Sequence, residues 1–177
     1  MEIYAKSKYD YETVKALAHT DAYKRFNPKK TFTFWTAYSV VLIVIMIVLL
    51  FLWGSDRTLI ILLPVCIAVL LLDCFIYWGL PKVQYKSLGK MANMENEFVF
   101  YEDVIKITSN NMEYSGEAEL KYTVIPKVME TTKYLFVFQT KRQVYAIDKS
   151  TITNGTMEDI RRKLKNYVNN KYIMCRY

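Results

Sequence analysis

The chain has 177 residues, a formal net charge of +7 and a hydrophobic content of 53%, which is concentrated between residues 32 and 80. The chain has one histidine and three cysteines, and the cysteines form no C-x-x-C pair. The sequence therefore does not favour a zinc site or a disulfide framework. The residues after position 80 are numerous enough for one small domain, whereas those before position 32 are too few for a separate core.

The N-terminal segment, residues 1–31, is predicted to be cytosolic, with a short strand over residues 2–9 followed by an amphipathic helix. Asp10 caps this helix, and apolar residues recur at helical spacing as far as Phe26. Asn27 precedes Pro28, and a residue before proline avoids the helical conformation, so the helix is expected to end there. Its apolar face has two expected placements, against the C-terminal domain or on the membrane surface.

Two apolar runs, residues 32–53 and 58–80, are separated by only four residues. Each run has about 22 residues, which at roughly 1.5 Å per residue spans a hydrocarbon core of about 30 Å. The gap permits only a tight turn, so residues 32–80 are predicted to form a transmembrane helical hairpin. The first run lacks a small-residue cleavage site near its end, which favours an uncleaved anchor.

Basic residues are concentrated on the outer sides of both runs, whereas the turn between them carries only Arg57 beside Asp56. This bias predicts a multi-pass protein of the cell membrane with both termini in the cytoplasm. Five lysines are expected to meet the headgroups of the lipid bilayer: Lys29, Lys30, Lys82, Lys86 and Lys90.

Residues 81–96 are predicted to form a juxtamembrane linker, in which Pro81 ends the second span and residues 82–92 form a short amphipathic helix. From Glu97 onward the hydrophobic period changes to two, and residues 97–177 read as one cytosolic domain. Short strands are predicted at residues 97–101, 104–108, 112–116, 134–140 and 143–148. Pro126 interrupts the apolar segment 122–130 and indicates an edge strand or a bend. Sequential short strands joined by tight turns predict an antiparallel meander.

The last predicted element is an amphipathic helix that begins at Thr156, with Asp159 three residues later in the manner of a capping box. Its apolar face consists of Ile160, Leu164, Tyr167 and Val168. Such a helix after a meander is expected to close one open end of the sheet, which would otherwise leave an apolar face in water.

This order of elements resembles the YcxB-like family of bacterial membrane proteins. The resemblance is carried by three stretches: Glu97-Phe98-Val99-Phe100-Tyr101-Glu102-Asp103-Val104-Ile105-Lys106-Ile107, then Tyr9-Asp10-Tyr11-Glu12 with His19, and Tyr122-Thr123-Val124-Ile125-Pro126-Lys127-Val128-Met129-Glu130-Thr131 leading into Tyr134-Leu135-Phe136. Pro126 departs from the family pattern. The resemblance implies a pleckstrin-homology-like domain, a bent sheet or partly open barrel capped by a C-terminal helix. It implies no activity.

Asp73 is the candidate functional residue within the apolar runs. It lies about seven residues, or roughly 10 Å by helix rise, from the cytoplasmic end of the second run. An ionised carboxylate that faces lipid is costly, so Asp73 is expected to face a protein partner. At its depth the first run presents three hydroxyls: Thr36, Tyr38 and Ser39. A hydrogen bond within the hairpin, a contact with the span of another protein, and a proton or ion relay are the alternatives.

Other polar groups give weaker indications. His19 has no nucleophile or carboxylate at a spacing that would suggest a triad, and it is interpreted as a packing residue. The acidic residues Glu113, Glu117 and Glu119 would need to converge to hold a metal ion. A basic cluster on the last helix is interpreted as a solvated or membrane-facing surface rather than a nucleic-acid site: Arg161, Arg162, Lys163, Lys165 and Lys171.

The sequence contains no motif for a phosphate-binding loop, an α/β-hydrolase nucleophile or a zinc protease, and it predicts no catalytic, cofactor-binding or metal-binding residue. It therefore predicts a non-enzymatic, membrane-anchored interaction or regulatory module, with a role in immunity or stress as the more specific hypothesis. Its sheet edge or helix groove would bind a membrane or cytosolic protein, for example by strand addition. The alternative is a small transport or channel component, a homo-oligomer of hairpins with Asp73 lining the pathway.

Overall fold

The structure is a computed structural model, and it describes residues 2–24, 26–54, 57–111, 114–140, 143–168 and 171–175. The helices are α1 Tyr11–Tyr23, α2 Pro28–Trp53, α3 Arg57–Cys74, α4 Leu80–Ser87 and α5 Met157–Val168, and a π-helical segment, Phe75–Gly79, joins α3 to α4. The strands are β1 Ile3–Lys8, β2 Glu95–Phe100, β3 Val104–Asn111, β4 Tyr114–Lys121, β5 Lys127–Glu130, β6 Tyr134–Phe138, β7 Val144–Asp148 and β8 Tyr172–Met174. The chain is therefore α+β, as predicted.

The strands form two four-stranded sheets in the described part of the chain. The first has the order β1-β2-β3-β4 and is antiparallel throughout. The second has the order β7-β6-β5-β8, in which the short strand β8 runs parallel to β5. The predicted meander is thus correct for the antiparallel neighbours, whereas β8 and the division into two sheets were not predicted. Pro126 precedes β5, which lies inside its sheet rather than at the edge.

The N-terminal strand belongs to the sheet domain. β1 pairs with β2 from Ile3 opposite Phe100 to Lys8 opposite Glu95, although helices α1 to α4 lie between them in the chain. The predicted separation of residues 1–31 from residues 97–177 is therefore wrong for the strand. Its sequence carries only a weak alternation, because the stabilising partner lies far along the chain.

Apolar side chains from both sheets meet in one core that α5 closes from one side. Ile160, Leu164 and Val168 of α5 are buried there, against residues such as Phe98 and Leu135. The α5 N-terminus has the predicted capping box, since Thr156 N donates to Asp159 Oδ2 at 3.1 Å and Asp159 N donates to Thr156 Oγ1 at 3.3 Å. Tyr167 is not part of the buried face, because it is 43% exposed.

The second sheet is covered on both faces. Its outer face carries a separate buried cluster that includes Met129, Phe136 and Phe138, and Ala16 and Leu17 of α1 pack against this cluster. Every residue of β6 is consequently buried. Of the two placements expected for the α1 apolar face, the structure has the contact with the C-terminal domain.

Two helical stretches, Pro28–Leu52 and Arg57–Ser87, are long and apolar enough to cross a membrane, and neither is buried inside the protein. The first begins four residues before the predicted run, because Asn27 caps it and Pro28 occupies its first turn, where a missing N–H costs nothing. α1 accordingly ends at Tyr23 rather than Phe26. The second stretch continues through Pro81, so the break expected at this residue is wrong.

Candidate functional site

The polar residues of the two long helices meet near the end of α3. Asp73 Oδ2 and Thr36 Oγ1 are both enclosed by protein, and the Thr36 hydroxyl is close enough to interact with the carboxylate. Neither atom completes a hydrogen bond within 3.5 Å in the described residues. The structure thus brings one of the three candidate hydroxyls, that of Thr36, close to Asp73.

The other residues predicted around Asp73 take different positions. Ser39 is buried, whereas Tyr38 is 50% exposed and its ring packs edge to face on Trp35. Further toward the turn, Cys66 Sγ of α3 lies 3.8 Å from Met46 Sδ of α2. The five lysines expected at the headgroups are all exposed, two in the first turn of α2, two on α4 and one just beyond α4: Lys29, Lys30, Lys82, Lys86 and Lys90.

A stack of three aromatic rings joins α1 to both long helices. The Tyr77 ring in the π-helical segment lies between His19 of α1, at a centroid distance of 4.6 Å, and Phe32 of α2, at 4.2 Å. His19 Nε2 lies 2.9 Å from the Tyr77 carbonyl oxygen and donates to it in the neutral tautomer protonated at Nε2. Burial lowers the pKa of His19, and nearby Lys15 adds to this effect, while the bond to the carbonyl opposes it. His19 is therefore a packing residue with a specific hydrogen-bond role.

Pro81 explains why this carbonyl takes a histidine as its partner. In a regular α-helix the Tyr77 carbonyl would accept from the backbone N–H of residue 81, and proline has none. The chain widens there into a π-helix, with Leu80 N bonded to Phe75 O, and His19 supplies a donor from outside the helix. The helix can thus continue through Pro81 into α4, which the sequence rules for proline did not anticipate.

Glu130 at the end of β5 forms a buried ionic network that the sequence analysis missed. Arg161 donates to both carboxylate oxygens, at 3.0 and 2.7 Å, Lys149 Nζ lies 2.7 Å from Oε1, and the Tyr172 hydroxyl donates to Oε2. Burial by itself would raise the pKa of Glu130, but the bonds from these three partners outweigh it and lower the pKa to about 2. Because every partner comes from a different element, the network fixes β5, β8 and α5 together.

The basic cluster predicted on α5 does not form a single surface. Arg161 is turned inward to Glu130, Lys163 donates to the Tyr101 carbonyl at 2.9 Å, and Arg162 is exposed and pairs with Asp159. Hence the interpretation as a wholly solvated surface is wrong for Arg161. Of the acidic group, Glu113 lies outside the described residues. Within them, no three acidic, histidine or cysteine side chains are grouped as metal ligands.

β4 presents an edge of the first sheet, because in the described chain it pairs only with β3. The Tyr122 N–H donates to the Asp103 carbonyl at 3.1 Å, so the backbone groups of Tyr122 point to β3. In an antiparallel pair, successive residues point their backbone groups alternately toward the partner strand and away from it. By this alternation the backbone groups of Ala118 point to β3, whereas those of Glu117, Glu119 and Lys121 point away from it. These three side chains are exposed, and so is Ala118 on the core-facing side.

Comparison with known proteins gives no relative: no family model, no curated protein and no solved structure matches the chain.

Replacing His19 with Phe tests the junction. The variant keeps an aromatic ring in the stack but removes the donor to the Tyr77 carbonyl, so we expect the free energy of unfolding in detergent micelles to fall by about 1 kcal/mol. Pro81→Ala supplies a backbone N–H to the same region. In that background His19→Phe should cost clearly less, and equal costs in both backgrounds would refute the explanation given for Pro81.

Replacing Glu130 with Gln leaves Lys149 without its carboxylate and Arg161 with only the exposed Glu158, and we expect a loss of about 3 kcal/mol of stability. Glu158→Gln is the matched control, since Glu158 also binds Arg161 but its side chain is 73% exposed, and it should cost less than about 1 kcal/mol. Unfolding measured against denaturant distinguishes the two variants.

The same network predicts a pH dependence of stability. The pKa of Glu130 falls from an ordinary 4.5 to about 2 in the folded chain, so its contribution is complete above pH 4.5 and is lost as the pH falls toward 2. Wild type should therefore lose stability more steeply than Glu130→Gln over this range. Parallel curves for the two proteins would contradict the assignment.

Proposed function

We propose that the chain is a non-enzymatic, membrane-anchored interaction module whose cytosolic domain binds a protein segment along β4. The observation that carries this proposal is the open edge of β4, where the backbone N–H and C=O groups of Glu117, Glu119 and Lys121 point away from β3. An added strand can form hydrogen bonds with these groups. Exposed Ala118 leaves room beside the edge, and exposed Glu117 and Glu119 favour a partner segment with basic side chains. The same charges discourage unspecific pairing of the edge.

Anchoring in the cell membrane is supported by the two long apolar helices. The chain enters the hairpin after β1 and leaves it before β2, and these strands are neighbours in one sheet, which favours the same side of the membrane for both termini. The five exposed lysines favour the cytoplasmic side. Two sheets around a core closed by α5 support a pleckstrin-homology-like domain, in line with the resemblance to the YcxB-like family. A role in immunity or stress, in which the anchored domain binds a protein at the membrane surface, is the more specific form of the proposal.

The transport alternative has less support. It requires several copies that place Asp73 on a shared axis, whereas Asp73 Oδ2 is already enclosed within one copy and lies near Thr36. A homo-oligomer in lipid with Asp73 on its symmetry axis would reverse this preference.

The proposed topology predicts which residues are accessible from outside the cell. In a variant whose three native cysteines are replaced by Ser or Ala, Arg57→Cys at the turn should react with a membrane-impermeant thiol reagent on intact cells. Ser115→Cys on β4 is equally exposed in the protein but should react only after the cells are opened. Labelling of Ser115→Cys in intact cells would overturn the topology.

The proposed edge is tested by Glu119→Pro, which removes an outward N–H without removing a donor of the β3–β4 ladder. Proteins that co-purify with the full chain from native membranes in mild detergent should be depleted at least tenfold. Glu119→Gln is the matched control, because it removes the charge and the 3.9 Å contact with Lys106 but keeps the N–H.

Quantitative mass spectrometry of both variants decides the outcome. Retention of the same proteins by Glu119→Pro, with unchanged circular dichroism, would exclude strand addition at β4. Loss with both variants alike would indicate recognition of the side-chain charge rather than of the backbone.

A further inference from the structure

A cavity of about 530 Å³ lies where the sheet domain meets α1 and α4. Its walls are mainly apolar and come from separate parts of the chain: Leu17 of α1, Leu88 and Met91 after α4, Met94 before β2, and Phe138 and Val144 of the second sheet. This volume falls within the range of about 300–1,000 Å³ usual for small-molecule sites. Met91 is 60% exposed and so marks an opening to the surface.

A polar row lies on the sheet side of this cavity, and two of its members, Asn96 and Ser109, line it. Ser7, Asn96 and Ser109 are neighbours across β1, β2 and β3, and Asn96 is only 1% exposed. Asn96 Oδ1 accepts from Ser109 Oγ at 2.6 Å, but Asn96 Nδ2 has no hydrogen-bond partner in the described residues. An unpaired buried donor is costly, and such groups are rare in folded proteins. Ser7 Oγ is likewise unpaired, but Ser7 does not line the cavity, so the buried unpaired donor among the described lining residues is Asn96 Nδ2.

The charges around the cavity point to an uncharged ligand. Among the described residues that line it, no lysine or arginine occurs, and the single charged one is Asp21, which already pairs with Lys127 at 3.2 Å. An anionic headgroup would find no counter-charge among these lining residues, and a buried unpaired charge is strongly unfavourable.

The position of the cavity points to the bilayer as the source of this ligand. Gln84 of α4 also lines it, and Gln84 lies four residues past Leu80, or about 6 Å by helix rise beyond the predicted end of the second span. An apolar chain can therefore reach the cavity from the cytosolic leaflet over a short distance.

We propose that this cavity binds a neutral single-chain glycerolipid, with its acyl chain along the apolar walls and its ester carbonyl accepting a hydrogen bond from Asn96 Nδ2. The volume favours one acyl chain over the two of a phospholipid. The inference rests on the membrane anchoring proposed above, but not on partner binding at β4. A monoacylglycerol is the simplest molecule with this chemistry.

The experiment uses the purified full chain in phosphatidylcholine nanodiscs that contain a diazirine-bearing monoacylglycerol. After irradiation, mass spectrometry should find the probe on cavity residues such as Leu88, Met91 and Met94, and an excess of unlabelled monoolein should abolish this labelling. Exposed apolar residues of α2 and α3 should be labelled as well, without competition, and serve as the internal control for insertion.

Asn96→Leu removes the donor at similar volume and should reduce cavity labelling about fivefold relative to hairpin labelling, the effect of one buried hydrogen bond. Ser7→Ala is the matched control, because Ser7 lies in the same polar row but does not line the cavity, and it should leave labelling within twofold. On wild type, where folding is not in question, lysophosphatidic acid should compete at least tenfold less well than monoolein.

The outcomes separate the two proposals. Loss of hairpin labelling contradicts the anchoring itself, whereas hairpin labelling without cavity labelling overturns only the lipid site and leaves water or a protein segment as the occupant. Cavity labelling that resists monoolein, or that lysophosphatidic acid displaces equally well, overturns the proposed chemistry of the ligand.

Discussion

Pairing between β1 and β2 is the constraint on which the arrangement of the whole chain depends. Tyr9 N bonds to Met94 O at 2.9 Å, and Asn93 N bonds to Tyr9 O at 2.8 Å, so the chain leaves the sheet and returns to it at one point. Everything between these residues, including both long apolar helices, is an insertion between neighbouring strands. The cost of closing such a large loop grows only slowly with its length, and the β1–β2 ladder and the packing of α1 on the second sheet offset it.

A second fixed contact then sets the direction of the helices relative to the sheets. The stack of His19, Tyr77 and Phe32 joins α1 to both long helices, and the second long helix passes through Pro81 into α4 without a flexible linker. α1 itself packs on the second sheet through Leu17. The hairpin and the domain are thus joined through packed side chains and continuous helix.

Sequence patterns predicted the elements whose stabilising interactions are local. The α+β class with two long apolar helices and antiparallel strands is confirmed, and the capping box at Thr156 formed as its spacing indicated, because such signals need only a few consecutive residues. The failures share one cause, which is a partner remote in sequence. Pro81 is accommodated by His19 and Glu130 is held by Arg161, and no spacing rule relates the members of either pair.

Two carboxylates with enclosed oxygens, Glu130 and Asp73, differ in how their hydrogen bonds are satisfied. Glu130 in the domain receives donors on both oxygens and has little capacity left for a ligand, so its role is to hold strands and helix together. Asp73 retains an enclosed oxygen without a hydrogen-bond donor. The other enclosed and unpaired polar atoms in the described residues belong to Ser7, Tyr23, Thr36 and Asn96. Tyr23, Thr36 and Asp73 lie where α1 meets the long helices, and Ser7 and Asn96 lie on the first sheet beside the cavity under α1 and α4. Both places adjoin the junction between the hairpin and the domain, and each unsatisfied group of this kind calls for a structural or functional explanation. The junction, rather than the well-satisfied core, is therefore where this fold retains capacity for function.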